Sequence, residues 1–523
     1  MTTSVLEKLG LGDKSKPRAE GKLLEGLRDK SKVDKKQLKF DLFTHVSYMA
    51  SLATAKASRE VMFTRAAGLN LESSAYFAEI NTLVHRLKYD YSEACRAVAD
   101  RTDVDEVSSL LIRMSGSLAS GEDEAEFLTR EAAVMAELYE AEYEQKIESL
   151  RKWTDAYAAL IVSAGLVVVI SMISMMIWSS SPVMILMTAV ATVTVMGTGA
   201  FILNAAAPVE IFPRKAGLTA VKQLQAKRLM LIFGGGGAVL AAITLMASGL
   251  GPALIIGGLG LLPGGVMIYM DQRRIAKLDA DVATSTRLLG GVTDAIGSTV
   301  GDALTKVDRR SLGSLEPFFH RLDVRVRSGI SPDLAWKRLV YEAGSEMVER
   351  TVNIFWDALT IGGNALQTGK NAAFFASSNS ILRQKRGLVA NTFGFLVVPL
   401  HLAMTGLLVF ILNVMELFAN ELNNQSAPDI SATGAAIPDI AGLSGFNTFA
   451  NVNFDYLGIL VTAVVLALTL ANAIAPYAAS GGHRFRLLLT LGIMMVISGS
   501  MMSLIPPMAH SVFSAITTPA TST

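Results

Sequence analysis

The sequence predicts an all-α, polytopic membrane protein with about seven transmembrane helices and two repeated cytoplasmic helical-bundle domains. Hydrophobic residues make up 51% of the 523-residue chain, and the mean hydropathy is +0.40. Charged residues make up 18%, below the usual quarter of a soluble chain. Apolar segments of about 20 residues, long enough to cross a bilayer as helices, alternate with polar stretches. The sustained period-two pattern of strands is absent.

A basic arm at 1–39 opens the chain and has no apolar core, so we expect no cleavable signal peptide. The sequence predicts the following order after it: a helical domain at 40–153, four transmembrane helices within 154–270, a second helical domain at 271–386, a fifth transmembrane helix at 387–417, an extracellular loop at 418–455, two transmembrane helices within 456–513 and an outside tail at 514–523.

The apolar segments behind this order are 154–178, 182–204, 229–247, 253–270, 387–417, 456–478 and 487–513. Basic residues concentrate on the cytoplasmic side of a membrane protein, and this rule places the N-terminus inside and the C-terminus outside. The outer segments then contain no Lys or Arg. The inner segments carry Arg214, Lys215, Lys222, Lys227, Arg228, the basic residues from Arg273 to Arg386, Arg484 and Arg486.

The two polar domains show an internal repeat. At a constant offset of 241, helix-spaced apolar residues and one glycine match in the pairs Ala94 and Ala335, Val98 and Leu339, Val107 and Val348, Leu111 and Val352, Met114 and Phe355, Leu118 and Leu359, and Gly121 and Gly362. The pattern predicts a helix with one apolar face that ends at the glycine.

A His-Arg-Leu triplet also occurs in both domains, at 85–87 and at 320–322. If these triplets are equivalent, the second copy contains six extra residues between the triplet and the apolar stripe. The triplet by itself is short enough to recur by chance.

The polar domains resemble those of the type II secretion F family, the platform proteins of type II secretion and type IV pili. Two motifs carry the resemblance. Ser120-Gly121-Glu122 precedes regularly spaced Leu and Ala residues, and Ser328-Gly329-Ile330-Ser331-Pro332 precedes the helix that contains Ala335.

The archaeal branch of that family, the platforms of the archaellum, is a closer match. Three segments of the first domain are similar to it, namely Phe40–Phe43, Ser47–Ala53 with Ser58-Arg59-Glu60, and Ala99–Thr102. Several spans between the two domains are also typical of the archaeal branch. The resemblance covers most of the chain from about residue 40.

The resemblance implies a non-enzymatic role without a cofactor. Such platforms contact a hexameric secretion ATPase in the cytoplasm and pass its conformational work to pilin-like filament subunits. It also implies a homodimer in the bilayer. Platforms of adhesive pili or secretion systems are alternatives within this class, and a polytopic secondary transporter is the alternative from another class. A membrane receptor lacks support, since no nucleotide, kinase or metal signature is evident.

The string Gly362–Asn371 is the most enzyme-like in the chain. A phosphate-binding P-loop needs four residues between its glycines and Ser or Thr after the Lys, whereas here five residues separate Gly363 from Gly369 and Asn371 follows Lys370. We therefore interpret it as a helix terminus. Small residues such as Gly260 and Gly264, and the run Gly234–Gly237, predict close helix packing in the membrane.

Few other residues suggest chemistry. His401 is the ionisable residue deep in an apolar segment, so a functional role is one hypothesis and a hydrogen bond to a neighbouring helix is the other. Cys95 is the one cysteine, which excludes an intramolecular disulfide and predicts a small buried hydrophobe. No histidine pair has metal-ligand spacing. The net charge of +1 gives no reason to expect nucleic acid as a partner. Asn424-Gln425-Ser426 is a glycosylation sequon.

Two charge clusters supply the candidates for contact with the ATPase. One is a basic set that opens and closes the second domain, and the other is acidic and lies on the last helix of the first domain, where a solvated helix face is the alternative. For the basic residues the alternative is anchoring by positive charge at the membrane surface. The candidates are Arg273, Arg274, Lys277, Lys370, Arg383, Lys385, Arg386, Glu122 and Glu126.

Overall fold

The computed structural model describes residues 35–178, 182–208, 225, 228–425, 454–483 and 485–517. These residues are largely helical and include no β-strand, which confirms the predicted all-α fold. Several predictions lie outside the described residues. They concern the arm before residue 35, the loop at 426–453, the side chain of Asn424, the basic residues Arg214, Lys215, Lys222, Lys227 and Arg484, and the tail after residue 517.

The described residues form sixteen α-helices. In chain order they are α1 Lys35–Ala53, α2 Arg59–Ala67, α3 Ser74–Leu87, α4 Tyr91–Ala99, α5 Asp105–Ser120, α6 Glu124–Trp178, α7 Pro182–Ala206, α8 Gly235–Ser248, α9 Leu250–Ile296, α10 Val300–Lys306, α11 Glu316–Arg327, α12 Pro332–Ala343, α13 Glu346–Thr360, α14 Ala365–Gln425, α15 Phe454–Ser480 and α16 Arg486–Thr517. A π-helical turn at Met230–Gly234 precedes α8, and a 3-10 helix at Arg309–Leu315 precedes α11.

The helices form two compact units. Among the described residues, the first contains those up to Glu142, together with Leu278–Val340 and Met347–Ser380. The second contains those within Tyr143–Lys277, Tyr341–Glu346 and those from Ile381 onward. The first unit therefore combines residues from both of the polar stretches in which the sequence shows a repeat.

The repeat extends through five helices of each copy. Adding 241 to the first residues of α2, α4, α5 and α6, which are 59, 91, 105 and 124, gives 300, 332, 346 and 365. These are the first residues of α10, α12, α13 and α14. The same shift moves α3 from 74–87 to 315–328, and α11 spans 316–327.

Burial explains why the stripe and the glycine recur. Ala94 and Ala335 are both fully buried, and so are Val98 and Leu339. Gly121 ends α5 with a φ of 73°, and Gly362 follows α13 with a φ of 89°. Both glycines have the left-handed conformation that ends many helices, so the helix-terminus interpretation of Gly362 is confirmed.

The equivalence of the two His-Arg-Leu triplets is wrong. His85 lies in the last turn of α3, whereas His320 follows the first turn of α11. Since the two copies already align at offset 241 from α2 onward, the structure contains no six-residue insertion between α11 and α12.

Seven of the described helices are long and apolar enough to cross a membrane, as the sequence predicts. The predicted fourth and fifth segments lie within α9 and α14, which have 47 and 61 residues. The second unit has a core of aliphatic and aromatic residues that includes Tyr157, Phe393 and Val465. In the same unit, a Cβ on Gly260 would lie 2.7 Å from the Cα of Gly237, which confirms the close packing predicted for these glycines.

Gly290 of α9 and Gly369 of α14 form a close helix contact in the first unit. A Cβ on Gly290 would lie 2.5 Å from the carbonyl oxygen of Ala365 and 2.9 Å from the Cα of Gly369. Gly369 therefore serves helix packing, and Gly369 and Lys370 lie inside α14 rather than in a loop before a helix.

Gly290→Ala is expected to lower the free energy of unfolding by about 1–3 kcal/mol, because the added methyl group forces two backbones apart. Gly291→Ala is the matched control, since no atom lies within 4 Å of its added Cβ. The control should raise the free energy of unfolding by about 0.5–1 kcal/mol, since alanine favours helix over glycine. Thermal unfolding of the two purified variants in detergent measures the difference. Equal midpoints would contradict the contact.

Candidate functional site

The basic candidates on α9 differ in their exposure and partners. Arg273 and Lys277 are exposed, and the Arg273 guanidinium lies 4.8 Å from the centre of the Tyr269 ring. Arg274 is half-buried. Its Nε lies 3.3 Å from the Asp271 carboxylate and its Nη2 donates to the carbonyl of Ala343 at 3.2 Å. Arg273 and Lys277 are thus the members of this group that a partner can reach.

The basic candidates on α14 also differ in their exposure and partners. Lys370 is exposed, Arg383 is half-buried, and Lys385 is exposed and pairs with Glu144. Arg386 is 2% exposed. Its guanidinium donates to the carbonyls of Ala479 at 3.0 Å, Pro208 at 2.8 Å and Ala478 at 3.3 Å.

Two of those three carbonyls belong to the last turn of α15. Cations are favourable at helix C-termini, where carbonyl groups have no intrahelical donor. Arg386 therefore caps α15 inside the second unit, and its guanidinium is not exposed for a lipid or a protein partner.

The acidic candidates lie at the start of α6. Glu122 and Glu126 both pair with Arg130, and the Arg130 guanidinium lowers the pKa of the Glu122 carboxyl. One turn further along, Glu131 is buried and accepts two hydrogen bonds from Arg113, at 2.8 and 2.7 Å. Glu122 and Glu126 thus form ion pairs at the protein surface, whereas Glu131 forms a buried one.

A buried ion pair joins α1 to the second copy of the repeat within the first unit. Arg350 Nη1 on α13 donates to Asp41 Oδ1 on α1 at 2.7 Å and to Thr44 Oγ1 at 2.8 Å. The backbone N–H of Glu72 donates to the other oxygen of Asp41 at 2.9 Å. The Arg350 guanidinium also lies 4.3 Å from the centre of the Phe40 ring. Asp41 is 0% exposed and Arg350 is 4% exposed.

Two further hydrogen bonds connect α1 and the turn after it to the second copy. Tyr48 donates to Asp357 at 3.0 Å, and burial raises the pKa of both side chains. Thr54 Oγ1, directly after α1, accepts from the backbone N–H of Asn364 at 3.2 Å, just before α14 begins. With the ion pair, the segment from Asp41 to Thr54 therefore holds the second copy at three points.

His45 is a buried histidine on the same helix. Its ring nitrogens lie 2.7 Å from Ser73 Oγ and 2.8 Å from the carbonyl oxygen of Ala66, and burial lowers its pKa to about 4. A buried imidazole in this environment stays neutral at pH 7.

Stability is expected to fall as the pH drops from about 6.5 towards 4. The unfolded chain protonates His45 in that window while the folded chain does not. The contribution of neutral, buried His45 to stability is therefore fully present above 6.5, the pKa of the histidine in the unfolded chain. It is lost as the pH falls towards 4, its pKa in the folded chain. Between pH 7 and pH 5 the expected loss is about 2 kcal/mol, because each pKa unit corresponds to about 1.4 kcal/mol. Thermal unfolding of wild type and His45→Gln at both pH values isolates this contribution. Identical pH dependence in the two proteins would contradict it.

A chain of hydrogen bonds crosses four helices of the second unit. Tyr157 on α6 donates to Asn472 on α15 at 3.0 Å, and the Asn472 amide lies 3.0 Å from His401 Nδ1. His401 Nε2 on α14 lies 2.9 Å from Ser498 Oγ on α16, which lies 2.6 Å from Thr469 Oγ1. The structure therefore favours the hydrogen-bonding hypothesis for His401.

Asn472→Ala is expected to lower the free energy of unfolding by about 1–3 kcal/mol, because Tyr157 and His401 would each lose a partner in an apolar environment. Asn413→Ala is the control. Asn413 donates to the carbonyl of Val409 in its own helix, so this variant removes a hydrogen bond within one helix rather than between helices. Thermal unfolding in detergent compares the two variants, and a smaller effect at Asn472 than at Asn413 would contradict the network.

Sequence reasoning missed the pairing of Asp41 with Arg350. Asp41 lies in the segment Phe40–Phe43, which indicates the family and not a contact. Arg350 lies between Val348 and Val352 of the apolar stripe. A charged residue inside an apolar stripe is the signal that could have indicated a buried pair.

The comparisons with known proteins agree with the sequence resemblance. The chain is 22% identical over 412 residues to Flagella accessory protein J of Methanocaldococcus jannaschii, which covers 75% of this chain and 70% of the relative. It is 24% identical over 339 residues to the protein of the same name from Methanococcus voltae, which covers 60% of this chain and 58% of the relative. No protein-family profile matches the chain, and no solved structure matches it. The two relatives confirm the resemblance to archaellum platform proteins.

Proposed function

We propose that this chain is the membrane platform for an archaeal type IV pilus-like surface filament, with the archaellum as the first candidate. The similarity to two flagella accessory proteins carries the proposal. The duplicated helical repeat and the seven apolar helices support it, because they match what the sequence resemblance implies.

In this proposal the chain has no catalytic activity and couples a hexameric cytoplasmic ATPase to pilin-like subunits. The N-terminus and both copies of the repeat are cytoplasmic, and the C-terminus is outside, as the distribution of basic residues favours. The exposed Arg273 and Lys277 are available for an electrostatic contact with the ATPase. A homodimer is part of the proposal.

The first test is deletion of the gene, followed by electron microscopy, a swimming assay and complementation from a plasmid. Loss of motility filaments that the plasmid restores would support the archaellum platform. Intact motility filaments with lost adhesive pili would favour the pilus platform instead. If both filaments persist, the platform proposal is wrong.

A secondary transporter also needs polar groups in the membrane, and the network around His401 is the feature that a transporter would share. In the structure Asn472 is hydrogen-bonded to both Tyr157 and His401, which favours a role in helix packing. A solute that raises the unfolding temperature of wild type, and fails to do so for Asn472→Ala, would revive the transporter hypothesis.

A further inference from the structure

The first unit contains a cavity of about 300 Å³ between α1, α6 and α14. This volume is at the lower end of the range for small-molecule sites. Its lining combines an apolar wall, formed by Ala132, Ala133 and Phe374, with the side chains of Ser47, Lys370 and Asn371. The cavity belongs to neither the ion pair of Asp41 nor the intramembrane network.

Two buried polar groups of the lining have no hydrogen-bond partner among the residues that the structure describes. They are the Ser47 hydroxyl and the Asn371 amide nitrogen, and these residues are 1% and 8% exposed. A buried donor without a partner costs about 1–3 kcal/mol, so two such groups at one cavity indicate that something other than protein satisfies them.

The arrangement of Asn371 favours an acceptor as that occupant. Gln367 Nε2 donates to Asn371 Oδ1 at 3.2 Å, which leaves the amide N–H groups of Asn371 to donate. The Ser47 hydroxyl can donate as well. The neighbouring Lys370 is exposed and is the only charged residue in the lining. A positive charge and two donors, with no Asp or Glu among the described residues of the lining, are the chemistry that binds an oxyanion.

Comparison of the two copies of the repeat shows that the positive charge in the lining comes from the second copy. Residue 370 of α14 corresponds at offset 241 to residue 129 of α6, and both line the cavity. The first copy has Thr129 at this position, whose hydroxyl donates to the Ala125 carbonyl of its own helix. The lysine therefore adds a charge to the cavity without being part of the shared packing pattern.

We propose that this cavity binds a small oxyanion, through a phosphoryl or a carboxylate group, with Lys370 supplying the charge and Ser47 and Asn371 donating hydrogen bonds. The bound anion connects α1 and α14 of the first unit. Since a ligand that binds only the folded state stabilises it, the anion raises the unfolding temperature. This inference does not depend on the role in filament assembly.

Inorganic phosphate and acetate are the two probes. The purified full-length chain in detergent is titrated with each at constant ionic strength, with chloride as the reference anion, and binding is followed by calorimetry and thermal unfolding. Saturable binding of phosphate alone would identify a phosphoryl site, and binding of acetate with similar affinity would identify a carboxylate site. Either result supports the proposal.

Three variants locate the binding. Lys370→Gln is expected to weaken it at least about tenfold, because a charge-assisted hydrogen bond is lost. Ala133→Leu is expected to abolish it by filling the cavity, and the exposure of Ala133 lets the fold accept the larger side chain. Lys306→Gln, an exposed lysine of the same unit on α10, should change the affinity less than twofold. No saturable binding of either probe would overturn the proposal, and so would binding that Lys370→Gln and Ala133→Leu leave unchanged.

Discussion

Asp41→Ala is expected to lower the free energy of unfolding by about 3–5 kcal/mol, because it removes the carboxylate of a buried ion pair while the Arg350 charge stays buried. Arg350 is 4% exposed, so its guanidinium cannot turn to solvent without moving α13. The backbone N–H of Glu72 loses its acceptor in the same variant. A loss of this size is a large fraction of the stability of most folded domains.

The measurement is thermal and denaturant unfolding of the purified variant, together with its level in the membrane fraction. Arg130→Ala is the control, since Arg130 also pairs with acids but is more than half exposed, and exposed pairs contribute little. An effect of Asp41→Ala no larger than that of Arg130→Ala would contradict the importance of the buried pair.

A double variant separates the charge from the packing. Replacing Asp41 by Leu and Arg350 by Met removes both charges together, and such replacements are often neutral or stabilising. We expect the double variant to be more stable than Asp41→Leu alone. If its loss of stability equals the sum of the losses in Asp41→Leu and Arg350→Met, the two side chains do not act as a pair.

The membrane helices were predictable because a bilayer imposes one simple requirement, a run of about 20 apolar residues. All seven predicted segments coincide with apolar helices of the described residues. The lack of evident helix breakers also predicts continuous helices over Gly121–Trp178 and Gly369–Leu417, longer than the apolar runs alone. The structure has α6 at Glu124–Trp178 and α14 at Ala365–Gln425.

The repeat was predictable where it depends on packing and on backbone geometry. Five of the six apolar pairs are buried in both copies, Leu359 being half-buried. Gly121 and Gly362 have the same left-handed backbone. The His-Arg-Leu triplet failed as a marker because His85 and His320 are at different places in their helices. A three-residue match carries no information about which face is buried.

The polar contacts were not predictable, because spacing along the chain does not specify which residues meet across helices. Asp41 and Arg350 are separated by 309 positions, and His401 and Ser498 by 97. Arg386 directly precedes an apolar run, so positive charge at the membrane surface was the expected role. The structure instead places its guanidinium on three carbonyl groups, which sequence alone does not indicate.

Inserting two glycines after Arg151 is expected to abolish filament assembly while leaving the protein in the membrane. The insertion lies in α6, which runs from Glu124 to Trp178 without interruption and has residues in both units. Two extra residues rotate the following segment by about 200° at 3.6 residues per turn, and glycine weakens the helix at that point. If α6 transmits movement of the repeats to the membrane helices, this variant cannot do so.

The same two glycines inserted between Gly297 and Ser298 are the matched control, because that exposed turn between α9 and α10 belongs to no helix. Electron microscopy should show filaments with the control and none with the α6 variant, and immunoblots should find both proteins in the membrane fraction at wild-type levels. An insertion of two alanines after Arg151 distinguishes the two causes, since it keeps the helix but changes its register. Filaments with the alanines would assign the defect to lost stiffness, and their absence would assign it to register. Normal filaments with the glycines in α6 would show that coupling does not pass through this helix.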